Sequence, residues 1–118
     1  MGQNHGTPPA PVSGVLVVDK EPGWTSHDVV ARVRRITGER RVGHAGTLDP
    51  AATGVLVVCV GTATRIVEYL GEMSKSYRAT IRFGVETDTW DAEGQVVFTT
   101  DPRSLSRAAL DALLRRFV

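Results

Sequence analysis

The run "GVLVVCVG" at residues 54–61 constrains the fold more than any other stretch of the sequence. Its six central residues are all apolar, whereas a strand with one solvent-facing side alternates apolar and polar residues. This pattern predicts a central strand that is buried on both faces. Cys59 lies within the run and is the single cysteine of the chain, so it has no disulfide partner and is interpreted as a small buried residue in a reducing compartment.

The segments before this run predict a strand and then a helix. "GVLVVDK" at residues 14–20 is β-branched and ends at the Pro-Gly turn of "EPGW", which predicts a buried strand followed by a loop. Thr25 or Ser26 can cap a helix that has Asp28 in its first turn and ends at Gly38. The residues predicted to face the core from this helix are Val29, Val30, Val33 and Ile36.

The segments after the run predict further helices and strands. "TATRIVEYLG" is interpreted as a helix of about two turns, "KSYRATIRFG" and "VVFTT" as strands, and the residues from Ser104 onward as a helix, with a turn-rich connection at residues 85–95. The inward residues predicted for these elements are Ile66, Val67 and Leu70; Tyr77, Ala79, Ile81 and Phe83; and Leu105, Ala109, Leu113 and Phe117. Strands and helices without regular alternation predict an α+β fold, with a mixed, mostly antiparallel sheet and flanking helices.

Length and composition indicate a small soluble protein. The 118 residues, 42% hydrophobic and 23% charged, suit about one globular domain with a single core. We expect residues 1–13, which are rich in proline and glycine, to form a flexible arm and residues 14–118 to form the folded portion. The sequence contains neither an apolar stretch of about 18 residues nor a signal-peptide pattern, so we expect a cytoplasmic protein. The last helix lacks a C-terminal capping residue, which predicts a truncated chain.

Charge is distributed unevenly although the formal net charge is only +1. Five arginines lie close together in the sequence, namely Arg32, Arg34, Arg35, Arg40 and Arg41, and residues 86–93 carry four acids and no base. Each run could be an ordinary solvated face, and the arginines could also contact nucleic-acid phosphates.

Two common kinds of site do not fit the sequence. Gly38 and Gly43 have the spacing of a phosphate-binding loop, but His44 and Ala45 stand where lysine and serine or threonine are needed. Asp88, Asp91 and Glu93 do not follow the ligand pattern of a calcium loop, and the three histidines lack metal-ligand spacing. We therefore expect no metal and no cofactor.

Asp49 is the only acid between Gly43 and Gly61. Pro50 restricts its backbone, and Gly43 and Gly46 leave room for another molecule. Asp49 could simply start a turn, or it could be a catalytic carboxylate. A single acid excludes a two-carboxylate glycosidase pair in this segment, but it suits nucleoside isomerisation, in which one nucleophile suffices. The carboxylate could attack C1′ of the nucleoside, attack C6 of its uracil, or abstract a sugar proton, and the sequence does not choose among these.

These motifs resemble a known family. "GHAGTLDPAATGVLVVCVGTATR", together with "GVLVVDKEPGWTSHDVVARVRRITG" upstream and "KSYRATIRFGVETDTWDAEG" downstream, is similar to the TruB family of tRNA pseudouridine synthases, bacterial type. The resemblance implies part of a pseudouridine synthase catalytic domain that isomerises uridine 55 in the T-loop of tRNA. It implies a monomer that needs tRNA, through its T-arm, but no protein partner.

The resemblance also assigns roles to individual residues. It implies that Asp49 is the nucleophile, that Tyr77 stacks against the target base, and that His44 enters the RNA loop as the uridine flips out. Lys20 matches a lysine with a supporting role near the active loop, although Glu21 separates it from Pro22 where the family has Lys-Pro. It further implies that a later part of the family's chain supplies an arginine to the aspartate, followed by an RNA-binding PUA domain. The alternative is a tRNA-binding or folding-helper module without catalysis.

Overall fold

The computed structural model describes residues 10–118 and confirms an α+β fold. The strands are β1 (Gly14–Lys20), β2 (Val42–Ala45), β3 (Gly54–Val60), β4 (Val85–Thr87) and β5 (Val96–Thr99), and the helices are α1 (Ser26–Thr37), α2 (Val67–Gly71) and α3 (Arg107–Leu114). Short 3₁₀ helices span Gly61–Ile66, Pro102–Ser104 and Arg115–Phe117. The described chain divides after Lys75 into two compact units.

The first unit is built on a three-stranded antiparallel sheet in the order β1-β3-β2, which confirms β3 as the central strand. Leu56, Val58 and Val60 of β3 are buried. They form one apolar cluster with Val42 of β2 and with the three valines of helix α1, Val29, Val30 and Val33. The uniformly apolar run is thus the centre of the core.

Helix α1 is bounded by the predicted caps. Thr25 and Asp28 form a capping box, in which each side chain accepts a hydrogen bond from the other residue's backbone N–H. The backbone hydrogen bond from Thr25, supplemented by its side chain, lowers the pKa of Asp28 below its ordinary value. Gly38 ends the helix in the left-handed region, at φ 69°. The prediction for Ile36 was wrong, since its side chain lies outside the buried stripe and is exposed.

Two further predictions for the first unit need correction, and one strand was missed. Strand β1 forms as expected but is largely exposed, because it lies at the edge of the sheet and only Val18 of its side chains packs against the buried cluster. Strand β2, which has four residues and pairs with β3, was not predicted. The predicted helix at residues 62–71 is a 3₁₀ segment followed by the short helix α2, and Ile66 is exposed while Val67 and Leu70 are half-buried.

The predicted N-terminal arm is described only in part. Residues 1–9 lie outside the described residues. Ser13 contacts the folded unit through a hydrogen bond between its Oγ and Thr62 Oγ1, at 2.6 Å. A Cβ at Gly61 would lie 2.4 Å from the carbonyl oxygen of Val12, so residues 12 and 13 pack closely against residues 61 and 62.

The second unit contains the antiparallel hairpin of β4 and β5. The strand predicted at residues 75–84 is absent: residues 74–82 have no regular secondary structure, and Tyr77, Ala79, Ile81 and Phe83 are exposed. Their alternating pattern is present, but among residues 10–118 no strand pairs with them, and alternation alone does not make a sheet. The predicted connection at residues 85–95 contains β4 instead.

Helix α3 begins later than predicted. Ser106 caps it by accepting a hydrogen bond from the Ala109 backbone N–H, at 3.1 Å. Ser104 belongs to the preceding 3₁₀ turn. The predicted inward stripe of Leu105, Ala109, Leu113 and Phe117 is exposed in the second unit.

The loop at residues 88–94 is held by its own side chains. Oδ1 of Asp91 accepts hydrogen bonds from Thr89 Oγ1, Glu93 N and Gly94 N, at 2.7, 2.9 and 3.1 Å. These bonds, that of Thr89 first, lower the pKa of Asp91. The loop presents Trp90 at φ 61°, the one described non-glycine residue with a positive φ, and its side chain is 88% exposed.

Candidate active-site loop

Asp49 lies in the loop that joins the paired strands β2 and β3. Its carbonyl oxygen accepts a hydrogen bond from Ala52 N at 2.9 Å, which closes a turn. The residue is exposed, and within residues 10–118 no hydrogen bond or ion pair reaches its carboxylate. The carboxylate is therefore available to another molecule.

Lys20 anchors this loop from the end of β1. Its side chain is 1% exposed, and Nζ donates hydrogen bonds to the carbonyl oxygens of Glu21, Trp24 and Pro50, at 3.0, 2.7 and 3.2 Å. A buried ammonium group is tolerated only when it is hydrogen-bonded in this way. Pro50 O also accepts from Gly23 N at 2.8 Å. The "EPGW" turn and the Asp49 loop are thus joined at Pro50, and Glu21 takes part through its backbone.

Ser26 anchors the other side of the loop from the first turn of α1. Its Oγ donates to Leu48 O at 3.1 Å and accepts from Leu48 N at 2.9 Å. Ser26 is 3% exposed, and Leu48 packs against the buried apolar cluster. Leu48 and Pro50 are therefore both fixed, which restrains the backbone of Asp49 while its side chain stays free.

His44 lies on strand β2 and not in the loop. It is half-buried, and its Nδ1 lies 2.9 Å from Gly46 O. Because a carbonyl oxygen can only accept, Nδ1 carries the hydrogen of this bond, and Nε2 of a neutral ring is left as an acceptor.

The two glycines of this segment differ in what they allow. Gly46 has φ 97°, which favours glycine, and a Cβ there would lie 3.1 Å from Lys75 Cε. At Gly43 a Cβ would meet Val67 at an ordinary 3.7 Å. Both glycines thus face side chains of this chain, and their expected role in the close approach of another molecule stays a prediction.

Lys75 is a neighbour of the loop that sequence reasoning missed. Its Nζ would lie 3.9 Å from a Cβ at Gly46 and donates to the carbonyl oxygens of Gly71 and Met73. The ammonium group therefore lies beside the loop. Lys75 follows the end of helix α2 by four residues. A lone lysine between two elements carries no sequence signal that could have identified it.

Tyr77, the predicted stacking residue, belongs to the second unit and its side chain is 71% exposed. The structure thus groups Lys20, His44 and the Asp49 loop within the first unit. The role of Tyr77 stays a prediction.

The five arginines do not share one environment, although all are exposed. Arg34 holds the chain after α1, because Nε donates to Arg40 O and Nη2 donates to Val42 O, both at 3.1 Å. Arg32 and Arg35 line a cleft with Trp24. Arg40 and Arg41 lie in the segment that leads to β2.

Two features bear on cofactors and membranes. The residues from 10 onward contain no group of three or more His, Cys, Asp or Glu side chains arranged to hold a metal ion. In the same residues no helix is both long and apolar enough to cross a lipid bilayer.

Burial raises the pKa of the Cys59 thiol, which lies within the core.

Comparison with known proteins identifies the family. Residues 34–118 match the N-terminal domain of the TruB family of pseudouridylate synthases. The chain therefore belongs to this family.

Individual relatives agree with this assignment. tRNA pseudouridine synthase B of Thermobifida fusca is 61% identical over 99 residues, which cover 84% of this chain and 34% of the relative. The protein of the same name from Syntrophotalea carbinolica is 59% identical over 91 residues, which cover 77% of this chain and 30% of the relative. The chain thus spans about a third of the length of the curated relatives it matches.

Solved structures give a partial match. "Structure of H/ACA RNP bound to a substrate RNA containing 2'-deoxyuridine" aligns at 50% identity with a TM-score of 0.46, over 48% of this chain and 18% of that chain. "Crystal Structure of a Cbf5-Nop10-Gar1 Complex" aligns at 39% identity with a TM-score of 0.45, over 56% and 24%.

Proposed function

We propose that this chain is the N-terminal portion of a catalytic domain that isomerises uridine to pseudouridine at position 55, in the T-loop of tRNA. Asp49 is the nucleophile, Tyr77 stacks against the base, and His44 enters the RNA loop. Membership of the TruB family and the name of the relatives, tRNA pseudouridine synthase B, support tRNA as the substrate and pseudouridine formation as the reaction. Position 55 and the residue roles are taken from the resemblance of the sequence motifs.

The observation that carries the proposal is the fixed backbone around a free carboxylate. Lys20 and Ser26 hold Pro50 and Leu48, the neighbours of Asp49, from two different elements. A nucleophile held in the correct geometry needs less ordering in the transition state, and displacement by about 1 Å can cost about 10²-fold in rate. The loop has the construction that such a nucleophile requires.

The proposed chemistry uses a single group. The carboxylate of Asp49 attacks C1′ or C6 of the uridine, or abstracts a sugar proton. The N1–C1′ bond then breaks, the uracil turns and a C5–C1′ bond forms, after which C5 loses its proton and N1 gains one. The uridine has to leave its stack for this reaction, which costs a few kcal/mol. Stacking on Tyr77 and entry of His44 into the vacated space offset that cost.

The test uses the relative from Thermobifida fusca, with its aligned segment replaced by the corresponding residues of this chain. Asp49→Asn keeps the shape of the side chain but removes the nucleophilic charge. We expect release of the C5 tritium label from uridine in T-arm RNA to disappear, while binding of the RNA persists. Label release at the unsubstituted rate would reject Asp49 as the nucleophile.

A second candidate is a tRNA-binding or folding-helper module without catalysis. It is favoured by one observation, that no cationic side chain pairs with the Asp49 carboxylate within residues 10–118. Under this candidate the 118-residue chain binds T-arm RNA, and the chimeric protein releases no label even with Asp49 present.

A further inference from the structure

We propose that a cleft formed by Trp24 and helix α1 binds one unpaired nucleotide of the RNA, with the base on the indole of Trp24 and the phosphate on Arg32 and Arg35. The inference rests on the proposed function for its assumption that the ligand is RNA. It adds a binding site, and it gives Trp24 a role.

The cleft has a volume of about 400 Å³ and is lined by Gly23, Trp24, Asp28, Ala31, Arg32 and Arg35. The four helical residues stand at i, i+3, i+4 and i+7, so they share one face of α1. The opposite face carries the buried valines of the core. Ala31 has the smallest side chain of the four, and this leaves room between the indole and the two arginines.

The side chains of the cleft have complementary chemistry for a nucleotide. The Trp24 side chain is 42% exposed, and an indole face stacks on any base. Arginine binds phosphate through paired N–H donors. Among residues 10–118 neither Arg32 nor Arg35 forms a hydrogen bond or an ion pair, whereas Arg34 uses its donors on backbone carbonyls. Arg32 and Arg35 are therefore free to bind an anion.

Asp28 sets the orientation of the bound nucleotide. Its Oδ2 accepts a hydrogen bond from Thr25 N at 2.9 Å, at the start of the helix. The carboxylate repels a phosphate at that end of the cleft, and the arginines attract it at the other end. A base on Trp24 with its phosphate toward Arg35 satisfies both constraints.

The wall of the cleft is bonded to the Asp49 loop. Trp24 O accepts from Lys20 Nζ, which also donates to Pro50 O, and Gly23 N donates to the same Pro50 oxygen. A nucleotide held on Trp24 is thus held on the segment that anchors Asp49. Binding in the cleft would fix the position of the RNA relative to the carboxylate.

Fluorescence of Trp24 tests the inference directly, because the chain has only two tryptophans. In the 118-residue chain carrying Trp90→Phe, the only indole is that of Trp24. We expect a short oligouridylate and uridine monophosphate to quench its emission, uridine to quench only at much higher concentration, and inorganic phosphate not to quench. No quenching by the oligouridylate, or equal quenching by uridine and its monophosphate, would overturn the inference.

Substitutions separate stacking from phosphate binding. Trp24→Ala should weaken oligouridylate binding about 5- to 160-fold, and Trp24→Phe should weaken it less, since a smaller ring remains. Ala31→Leu fills the cleft without changing charge and should weaken binding comparably to Trp24→Ala. Arg32→Gln and Arg35→Gln should each reduce the salt dependence of binding by about 0.7 in slope.

Trp90→Ala is the matched control, because it truncates the other exposed indole. Binding of labelled oligouridylate, measured by anisotropy, should stay within about twofold of the parent, and circular dichroism should show that every variant is folded. Equal losses for Trp24→Ala and Trp90→Ala would overturn the inference.

The outcomes for the cleft and for the proposed function are distinguishable. If the chimeric protein releases label from T-arm RNA and Trp24→Ala changes neither RNA affinity nor this rate, the cleft is rejected and the proposed function stands. If RNA quenches Trp24 and Trp24→Ala weakens binding but no label is released, the cleft stands and the isomerase proposal fails.

Discussion

The loop around Asp49 and the loop around Asp91 hold their acidic residues in opposite ways. Side chains from β1 and α1 bind the backbone of the first loop, and the Asp49 carboxylate has no partner among residues 10–118. The second loop is held by its own acid, because Asp91 Oδ1 accepts three hydrogen bonds from residues 89, 93 and 94. The backbone of a loop can therefore be ordered with or without its carboxylate as a hydrogen-bond acceptor. Of these two loops, only the Asp49 loop leaves its carboxylate free.

The largest effect should come from removing the anchor of the Asp49 loop. Lys20→Met keeps the apolar stem but leaves the carbonyl oxygens of Glu21 and Trp24 without their donor, so we expect a loss of about 2–4 kcal/mol in the free energy of unfolding. Urea unfolding of the Trp90→Phe protein, followed by Trp24 fluorescence, measures it. Lys75→Met is the control and should change stability by no more than about 0.5 kcal/mol. Equal effects of the two changes would show that Lys20 does not anchor the loop.

The Asp91 loop should be sensitive to added side-chain volume at Gly94. A Cβ at Gly94 would lie 2.1 Å from Thr89 Oγ1 and 2.7 Å from Asp88 Oδ1, so Gly94→Ala should destabilise the hairpin by about 1–3 kcal/mol. Emission of Trp90 in the Trp24→Phe protein reports the change during urea unfolding. Gly71→Ala, where nothing lies within 4 Å, should be neutral or stabilising. A neutral Gly94→Ala would mean that the loop is not closely packed.

Ser26→Ala should have a smaller effect than Lys20→Met. It removes both hydrogen bonds to Leu48, at an expected cost of about 1–2 kcal/mol, while the apolar packing of Leu48 remains. Amide hydrogen exchange at Leu48 should become faster, and exchange at Val58 in the core should change less. Unchanged exchange at Leu48 would reject Ser26 as an anchor.

Acid should loosen the Asp91 loop by a modest amount. The pKa of Asp91 is lowered in the folded protein. Its contribution to folding stability is therefore present above the ordinary aspartate pKa, about 3.9, and is lost as the pH falls through the pKa of the folded state. Thr89→Val removes the largest cause of the lowered pKa. NMR titration of the Asp91 carboxyl carbon should then show a midpoint closer to the ordinary value, and an unchanged midpoint would contradict the role of Thr89.

Patterns that depend on local sequence predicted helix α1 and strand β3 of the first unit well. The caps of α1 and the central position of β3 follow from residues close together in the chain, such as Thr25, Asp28 and Gly38. The family resemblance placed Lys20 near the Asp49 loop, but its hydrogen bonds could not be predicted, because Lys20 and Pro50 meet only after β1 pairs with β3. The strand predicted around Tyr77 was wrong because periodicity does not reveal whether a neighbouring strand exists.

Substitution of Asp49 by glutamate tests whether the anchored loop positions the carboxylate. In the chimeric protein, Asp49→Glu keeps the charge but moves it by one methylene group. A carboxylate positioned by the anchored loop predicts a loss of about 10²-fold or more in the single-turnover rate of tritium release, with unchanged affinity for T-arm RNA. A rate within a few-fold of the parent would show that the charge alone suffices, and would contradict the claim that the loop positions the nucleophile.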